Sequence, residues 1–180
     1  MKGWISTMLA AIKEWDIRIL NQINNRCHTK FLDRVMPIVS FLGNYGYVWI
    51  FISFMLFWYE QTQHTAIQVI LGLILTTTIG EGLIKHVIRR KRPFFHFRHF
   101  QLKVPPPITY SFPSGHTASA FCSFFILSPL NGWVSFFCFL FAVTIAFSRV
   151  YLKVHYPSDV VCGIFLGLFC GVIVLYMPML

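Results

Sequence analysis

The chain has 180 residues, 56% of them hydrophobic and 12% charged, where a soluble domain carries about 25% charged residues. That deficit excludes disorder, a coiled coil and a soluble nucleic-acid-binding module, and it indicates a one-domain chain embedded in a membrane. The net charge of +9, from 15 Lys and Arg against 6 Asp and Glu, then points to anionic headgroups or a phosphorylated substrate as partners.

Residues 1–34 come first and differ from the rest. Ile5, Met8, Leu9, Ile12, Trp15, Ile19 and Ile23 recur at helical spacing, with Lys13, Glu14 and Arg18 between them. This pattern predicts an amphipathic helix, either lying in the membrane interface or capping a bundle. The apolar stretch after Lys2 is short and runs into Lys13-Glu14-Trp15-Asp16, unlike a signal peptide.

Residues 35–180 read as the membrane-embedded domain. A spanning helix needs about 20 mostly apolar residues. Val35–Tyr59 fits, and so does the stretch from about His64 to His86. Val104–Ser148 is uncharged but too long for one helix. Pro105-Pro106-Pro107 keeps its start non-helical, and Pro129-Leu130-Asn131-Gly132 predicts a turn. Two helices follow, over about 114–128 and 133–149. The last runs from about Pro157 to Tyr176, with proline suited to its first turn. The expected fold is an all-α polytopic bundle of about five spans plus the N-terminal amphipathic helix. The five cysteines form no CxxC pair, so neither a disulfide framework nor a zinc site is indicated.

With five spans, residues 1–34, the 85–112 loop and the 149–156 loop share one face, and they hold every Lys and Arg of the chain. The positive-inside rule assigns that face to the cytoplasm of a multi-pass protein of the cell membrane.

Three segments on this face carry chemistry: Lys85 to Pro93, Pro113-Ser114-Gly115-His116, and Ser148 to Asp159. Lys85, Arg92 and Arg149 bring three cations near hydrocarbon, where they need an anion. Phosphate suits paired guanidinium donors. Ser114 and Gly115 fall at a helix start, where free N–H groups favour an anion. Asp159 can take one ring N–H of His155 and leave the other nitrogen free to attack. His116 can act as general acid. Clustered carboxylates for Mg²⁺ are lacking, which favours a metal-free, cofactor-free mechanism.

These segments resemble the three-part signature of the type 2 phosphatidic acid phosphatase family, whose site is related to that of vanadium haloperoxidases. The pattern K-x6-R-P, P-S-G-H and S-R-x5-H-x3-D is matched by Lys85/Arg92/Pro93, Pro113–His116 and Ser148/Arg149/His155/Asp159 without gap or substitution. The resemblance implies an integral-membrane lipid phosphatase. His155 would be the nucleophile that forms a phosphohistidine. Asp159 would orient it, and His116 would protonate the leaving group. Lys85, Arg92, Ser114, Gly115 and Arg149 would hold the phosphoryl oxygens. Undecaprenyl diphosphate is the first substrate it suggests, followed by phosphatidylglycerophosphate and phosphatidic acid. A lipid phosphotransferase and a non-enzymatic carrier of lipid phosphates are the rival classes. Many relatives have six spans and an outward-facing site, against the cytoplasmic face that the charge asymmetry gives here.

Around the cradle, Glu81 is expected to pair with Lys85 one turn on. Arg89, Arg90 and Lys91 read as solvated topology determinants, or as a grip on a second phosphate. His86, His96 and His99 read as interfacial. Phe94, Phe95, Phe97 and Phe100 fit an aromatic belt, and Tyr110 and Phe112 could line the site.

Overall fold

The computed structural model describes residues 2–95 and 102–178. These form an all-α polytopic membrane bundle. Helix α1 is Lys2–Arg26, and α2 is Lys30–Leu42, capped by Thr29, whose hydroxyl accepts from the Leu32 N–H. Helix α3, Tyr47–Phe57, continues α2 after a break. Helix α4, Gln63–Thr77, passes through a π-helical stretch, Thr78–Ile84, into the short α5, Lys85–Ile88. Helices α6 (Gly115–Leu127), α7 (Gly132–Tyr151) and α8 (Pro157–Leu175) complete the fold.

Among the described residues, three helical runs are long and apolar enough to cross a membrane: Glu60–Phe95, Gly132–Tyr151 and Pro157–Leu175. The pair Lys30–Leu42 and Asn44–Phe57 makes a fourth if counted as one span, bent by 52°. The bend lies where Tyr45 and Gly46 take left-handed conformations at φ 51° and 71°, while α2 itself runs on through Pro37. The expected span over 114–128 is the 13-residue α6. At 1.5 Å per residue it covers only about 20 Å of a hydrocarbon core about 30 Å thick.

Helix α6 is the centre of the bundle. It packs on α4, α7 and α8, and eight of its residues are buried, among them Ala118, Phe121, Cys122 and Ile126. Its approach to α8 is set by Gly163, Gly167 and Gly171, spaced four apart. A Cβ on Gly163 would lie 2.7 Å from the Ser114 carbonyl oxygen, and one on Gly167 would run into the Ala118 carbonyl. Small residues at this spacing let membrane helices touch backbone to backbone. Outward faces are apolar: Phe51 and Phe54 on α3, Phe136 and Phe137 on α7, and Phe165 and Phe169 on α8 are exposed. Asn131 caps α7 by accepting from the Trp133 N–H at 2.8 Å, which ends the turn expected there.

The amphipathic pattern of α1 divides along its length. Trp4, Ile5, Met8 and Leu9 are exposed, whereas Asp16 and Leu20 are buried where α1 meets α7 and α8.

Candidate active site

The three motif segments converge where α5 ends, α6 begins, α7 ends and α8 begins. Their meeting is fixed by main chain: the Ser114 N–H donates to the Asp159 carbonyl at 3.0 Å, and the Ser111 N–H to the Arg90 carbonyl at 2.8 Å. Arg89 turns the chain out of α5 in a left-handed conformation at φ 49°. The π-helical stretch just before it offsets Glu81 and Lys85 from a regular α-helical register, a distortion frequent at functional sites.

A cavity of about 650 Å³ opens among these ends. Of the eight residues expected to form the site, Lys85, Arg92, Gly115, His116, Arg149 and His155 line it. Ser114 and Asp159 do not; both are fully buried behind its wall. Ser114 caps α6, its hydroxyl oxygen accepting from Thr117 Oγ1 at 2.9 Å. Asp159 caps α8, accepting from the Tyr156 N–H at 2.8 Å.

The cations are buried and held in different ways. Lys85 is 3% exposed; its Nζ donates to Glu81 Oε1 at 2.6 Å and to Thr109 Oγ1 at 3.2 Å. The expected pair with Glu81 thus lies inside the cavity wall, with the carboxylate over Gly115 at the start of α6. Arg92 donates to the Thr109, Val154 and Tyr110 carbonyls at 2.7, 2.8 and 3.0 Å. Arg149 donates from Nη1 to Ser40 Oγ, while its buried Nε has no partner among the described residues. A guanidinium so placed offers paired donors suited to an anion such as phosphate.

His155 is 1% exposed. Its Nδ1–H donates to the Ser111 carbonyl at 2.7 Å, and its Nε2 accepts from Arg92 Nη1 at 3.2 Å. The Nε2 lone pair therefore points at the cations, and Arg92 Nη1 is its hydrogen-bond donor. Here the structure corrects the sequence reading. Asp159 Oδ2 stands 3.7 Å from Nδ1, too far to take the ring proton. It accepts instead from the Ser111 hydroxyl. Asp159 holds the loop whose carbonyl orients the histidine. Burial, and then the charges of Arg92, Arg149 and Lys85, hold His155 well below the ordinary imidazole value, so the ring is neutral. Across the cavity, His116 Nε2–H donates to Asn44 Oδ1 at 2.7 Å.

Several functional neighbours escaped the sequence reading. Thr109 and Ser111 are loop residues, Asn44 lies at the break after α2 and Ser40 in the last turn of α2, and none belongs to a motif. Arg90 was read as solvated or phosphate-gripping; it instead joins Asp16 and Asp159 at 2.6 and 2.7 Å. Asp16 did carry a signal. It interrupts the apolar face of α1, four residues after Ile12 and four before Leu20. Arg89 and Lys91 are exposed, as expected of solvated residues, and His86, read as interfacial, is exposed as well. Tyr110 lines a separate neighbouring cavity with Phe94 and Phe95, and Phe112 lines neither. His96, Phe97, Arg98, His99 and Phe100 lie outside the described residues.

Comparison with known proteins finds relatives over most of the chain. The profile of the PAP2 superfamily matches residues 65–179. Undecaprenyl-diphosphatase of Sulfolobus acidocaldarius is 33% identical over 135 residues, which is 72% of this chain and 64% of that protein. The chain thus spans just under two thirds of that relative. The crystal structure of Aquifex aeolicus LpxE superposes with a TM-score of 0.79 at 30% identity, covering 89% of this chain and 94% of that one. A PAP2-type phosphatidylglycerolphosphate phosphatase from Bacillus subtilis gives 0.75 at 28% identity, covering 91% and 84%.

Proposed function

The chain belongs to the PAP2 superfamily, and from that premise we propose that it is an integral-membrane lipid phosphatase working through a phosphohistidine. The observation that carries the reading is the pose of His155. Its Nδ1–H is tied to a backbone carbonyl, and its Nε2 lone pair faces a cavity walled by Lys85, Arg92 and Arg149. In this mechanism the phosphoryl oxygens take the unpartnered N–H of Arg149, the Lys85 ammonium and the N–H groups at the start of α6. Nε2 attacks phosphorus in line as the bond to the leaving oxygen breaks, and His116, entering the step as imidazolium beside the anionic headgroup, gives that oxygen its Nδ1 proton while Nε2–H stays on Asn44. Water then attacks the phosphohistidine, His116 takes up its proton, and inorganic phosphate leaves. Imidazole supplies the nucleophile and the cations supply the charge stabilisation, so no metal step is required.

The lipid tail stays in the bilayer in this reading. Pro37, Phe41, Tyr45 and Leu73 line the cavity beside the polar groups, which supports entry of a headgroup between α2 and α4. An undecaprenyl-type diphosphate is the preferred substrate, supported by the archaeal relative. The bacterial structural relative favours phosphatidylglycerophosphate as a second reading. For the topology we adopt five crossings. Helix α6 begins at the site and α7 returns to it, so α6 traverses with the turn that follows it. The charge asymmetry then supports a cytoplasmic basic face. Labelling of Lys103→Cys only from outside would overturn that assignment.

The test is phosphate release by the purified protein, in EDTA, beside His155→Ala. The panel is undecaprenyl diphosphate, phosphatidylglycerophosphate and phosphatidic acid. The expected result is release that is blocked by vanadate and lost in the variant. Release that survives His155→Ala, or that vanishes in EDTA and returns with Mg²⁺, refutes the mechanism. Transfer of label to an added lipid alcohol instead of water would identify a phosphotransferase. A folded protein that releases nothing would point to a carrier.

A further inference from the structure

The site rests on a charged network that reaches outside the three motif segments, to the N-terminal helix. Asp16 of α1 and Asp159 of α8 are both fully buried, and one guanidinium lies between them. Arg90 Nη2 donates to Asp16 Oδ2 at 2.6 Å, and Nη1 donates to Asp159 Oδ1 at 2.7 Å. Ser158 closes the ring. Its N–H donates to Asp16 Oδ1 at 2.8 Å, its hydroxyl donates to Asp16 Oδ2 at 2.7 Å, and it accepts from Arg90 Nη1 at 2.7 Å. The guanidinium stacks on the Tyr156 ring, 4.0 Å from its centroid. From Asp159 the chain of bonds runs through the Ser111 hydroxyl to the segment whose carbonyl holds His155 Nδ1–H. Arg90 grips that segment a second time, its own carbonyl accepting from the Ser111 N–H.

We infer that Asp16 and Arg90 are positioning residues for His155, so that docking of α1 on the bundle is part of assembling the nucleophile. The reasoning rests on reading His155 as the nucleophile. Two buried carboxylates need a cation between them. The planar fork reaches each carboxylate with a separate nitrogen, a geometry that the single ammonium nitrogen of a lysine does not reproduce. Asp16 is what keeps the fork shared. Without its charge, Arg90 turns fully onto Asp159, Asp159 loosens its hold on the Ser111 hydroxyl, and the carbonyl facing Nδ1 loses its fixed place. Groups of this kind, one bond removed from a reactive ligand, set its orientation and basicity. The effect should appear in the chemical step with KM little changed in Asp16→Asn, because Asp16 lines neither the catalytic cavity nor the one beside it, which Arg90 does line.

The experiment compares the full-length wild type, Asp16→Asn, Asp159→Asn and the double variant, with Arg90→Lys as a second probe of the same link. Turnover is measured per folded molecule. Carbethoxylation of His155 by diethyl pyrocarbonate is followed by mass spectrometry, with His155→Ala as blank. The expected result is a kcat and a His155 modification rate each about tenfold lower in Asp16→Asn, with KM within twofold. The double variant should be no worse than Asp159→Asn, since residues acting through one another are not additive. Arg90→Lys should reproduce the loss although it keeps the charge. A lower melting temperature with unchanged kcat and modification rate in Asp16→Asn means that Asp16 only anchors α1, and overturns the proposal. So does full multiplication of the two effects in the double variant. If Asp16→Asn does not fold, Arg90→Lys with normal kcat and normal modification overturns it equally. The modification series needs no lipid. It decides the role of Asp16 and Arg90 even if the wild type releases no phosphate, an outcome that refutes only the phosphatase reading.

Discussion

Gly163→Ala tests whether helix contact and catalysis are one property. Gly163 lies one turn beyond Asp159, and the added methyl carbon would sit 2.7 Å from the Ser114 carbonyl oxygen and 3.1 Å from Thr117 Cβ. Ordinary contact begins at 3.4 Å, so α6 and α8 must part by about 0.7 Å at this point. The obstacle is backbone, so no side chain can swing aside. The displaced residue is Ser114, whose N–H bonds Asp159 and whose neighbours Gly115 and His116 line the site. A shift near 1 Å at reacting groups costs on the order of 10²-fold in rate, and overpacking costs about 1–3 kcal/mol of stability. Gly171→Ala is the control, because its methyl meets only the Phe125 side chain at 3.1 Å, three turns from the site. The assay is kcat with the short-chain form of whichever lipid the wild type accepts, beside melting temperature in the same detergent. Gly163→Ala should lose at least tenfold in kcat, and Gly171→Ala less than threefold. Equal activity in the two variants would refute the claim that the glycine contact sets the geometry of the cradle.

Glu81 is the carboxylate among the described residues that lines the cradle, bonded to Lys85 and lying over Gly115. An entering phosphate meets it as a like charge, so Glu81→Gln should tighten inhibition by vanadate and inorganic phosphate by about tenfold, or ~1.4 kcal/mol; unchanged or weaker inhibition would mean that Glu81 serves only to place Lys85. The neutral state of His155 gives a stability prediction with a definite sign. Its folded pKa lies well below 6.5 because the ring is buried beside three cations, so its contribution is fully present above about pH 6.5. That contribution is lost as pH falls below 6.5 toward the folded value, because the unfolded chain binds the proton first. The melting temperature should therefore drop below pH 6.5, and less steeply in His155→Gln. Parallel curves for the two proteins would show that other groups govern the acid limb.

Much of this arrangement was legible in the sequence because its signals are local. The apolar runs predict the helices, Pro129 to Gly132 mark the turn before α7, and the motif segments predict that Lys85, Arg92, Arg149 and His155 meet; all four line one cavity. The break inside 35–59 was less legible, since it depends on Tyr45 accepting a left-handed conformation that tyrosine disfavours. The role of Asp159 was legible as partnership and misread in detail. The i,i+4 spacing puts it near His155, but helix capping draws its oxygen toward the Tyr156 N–H and leaves the ring proton to a carbonyl 44 residues away in sequence. Asp16 lies farther still, 142 residues from Ser158; its break in the apolar face of α1 marks it, but no local pattern names its partner.

The unfilled bonds of the site follow from its charge balance. Lys85, Arg92 and Arg149 are each no more than 4% exposed, and Glu81 is the only carboxylate that lines their cavity among the described residues. Arg92 settles its donors on backbone carbonyls, which satisfies hydrogen bonding without cancelling charge. Arg149 leaves Nε unpartnered. Burying a cation without a counter-ion destabilises a fold, and replacing such groups by apolar ones is often stabilising. Selection for stability alone would therefore have removed the cluster. The proposed reaction accounts for it: a phosphoryl group would bring the missing negative charge and acceptors for the Arg149 N–H. The same imbalance accounts for a neutral histidine, since three nearby cations oppose protonation and so keep its lone pair available for the phosphorus they attract.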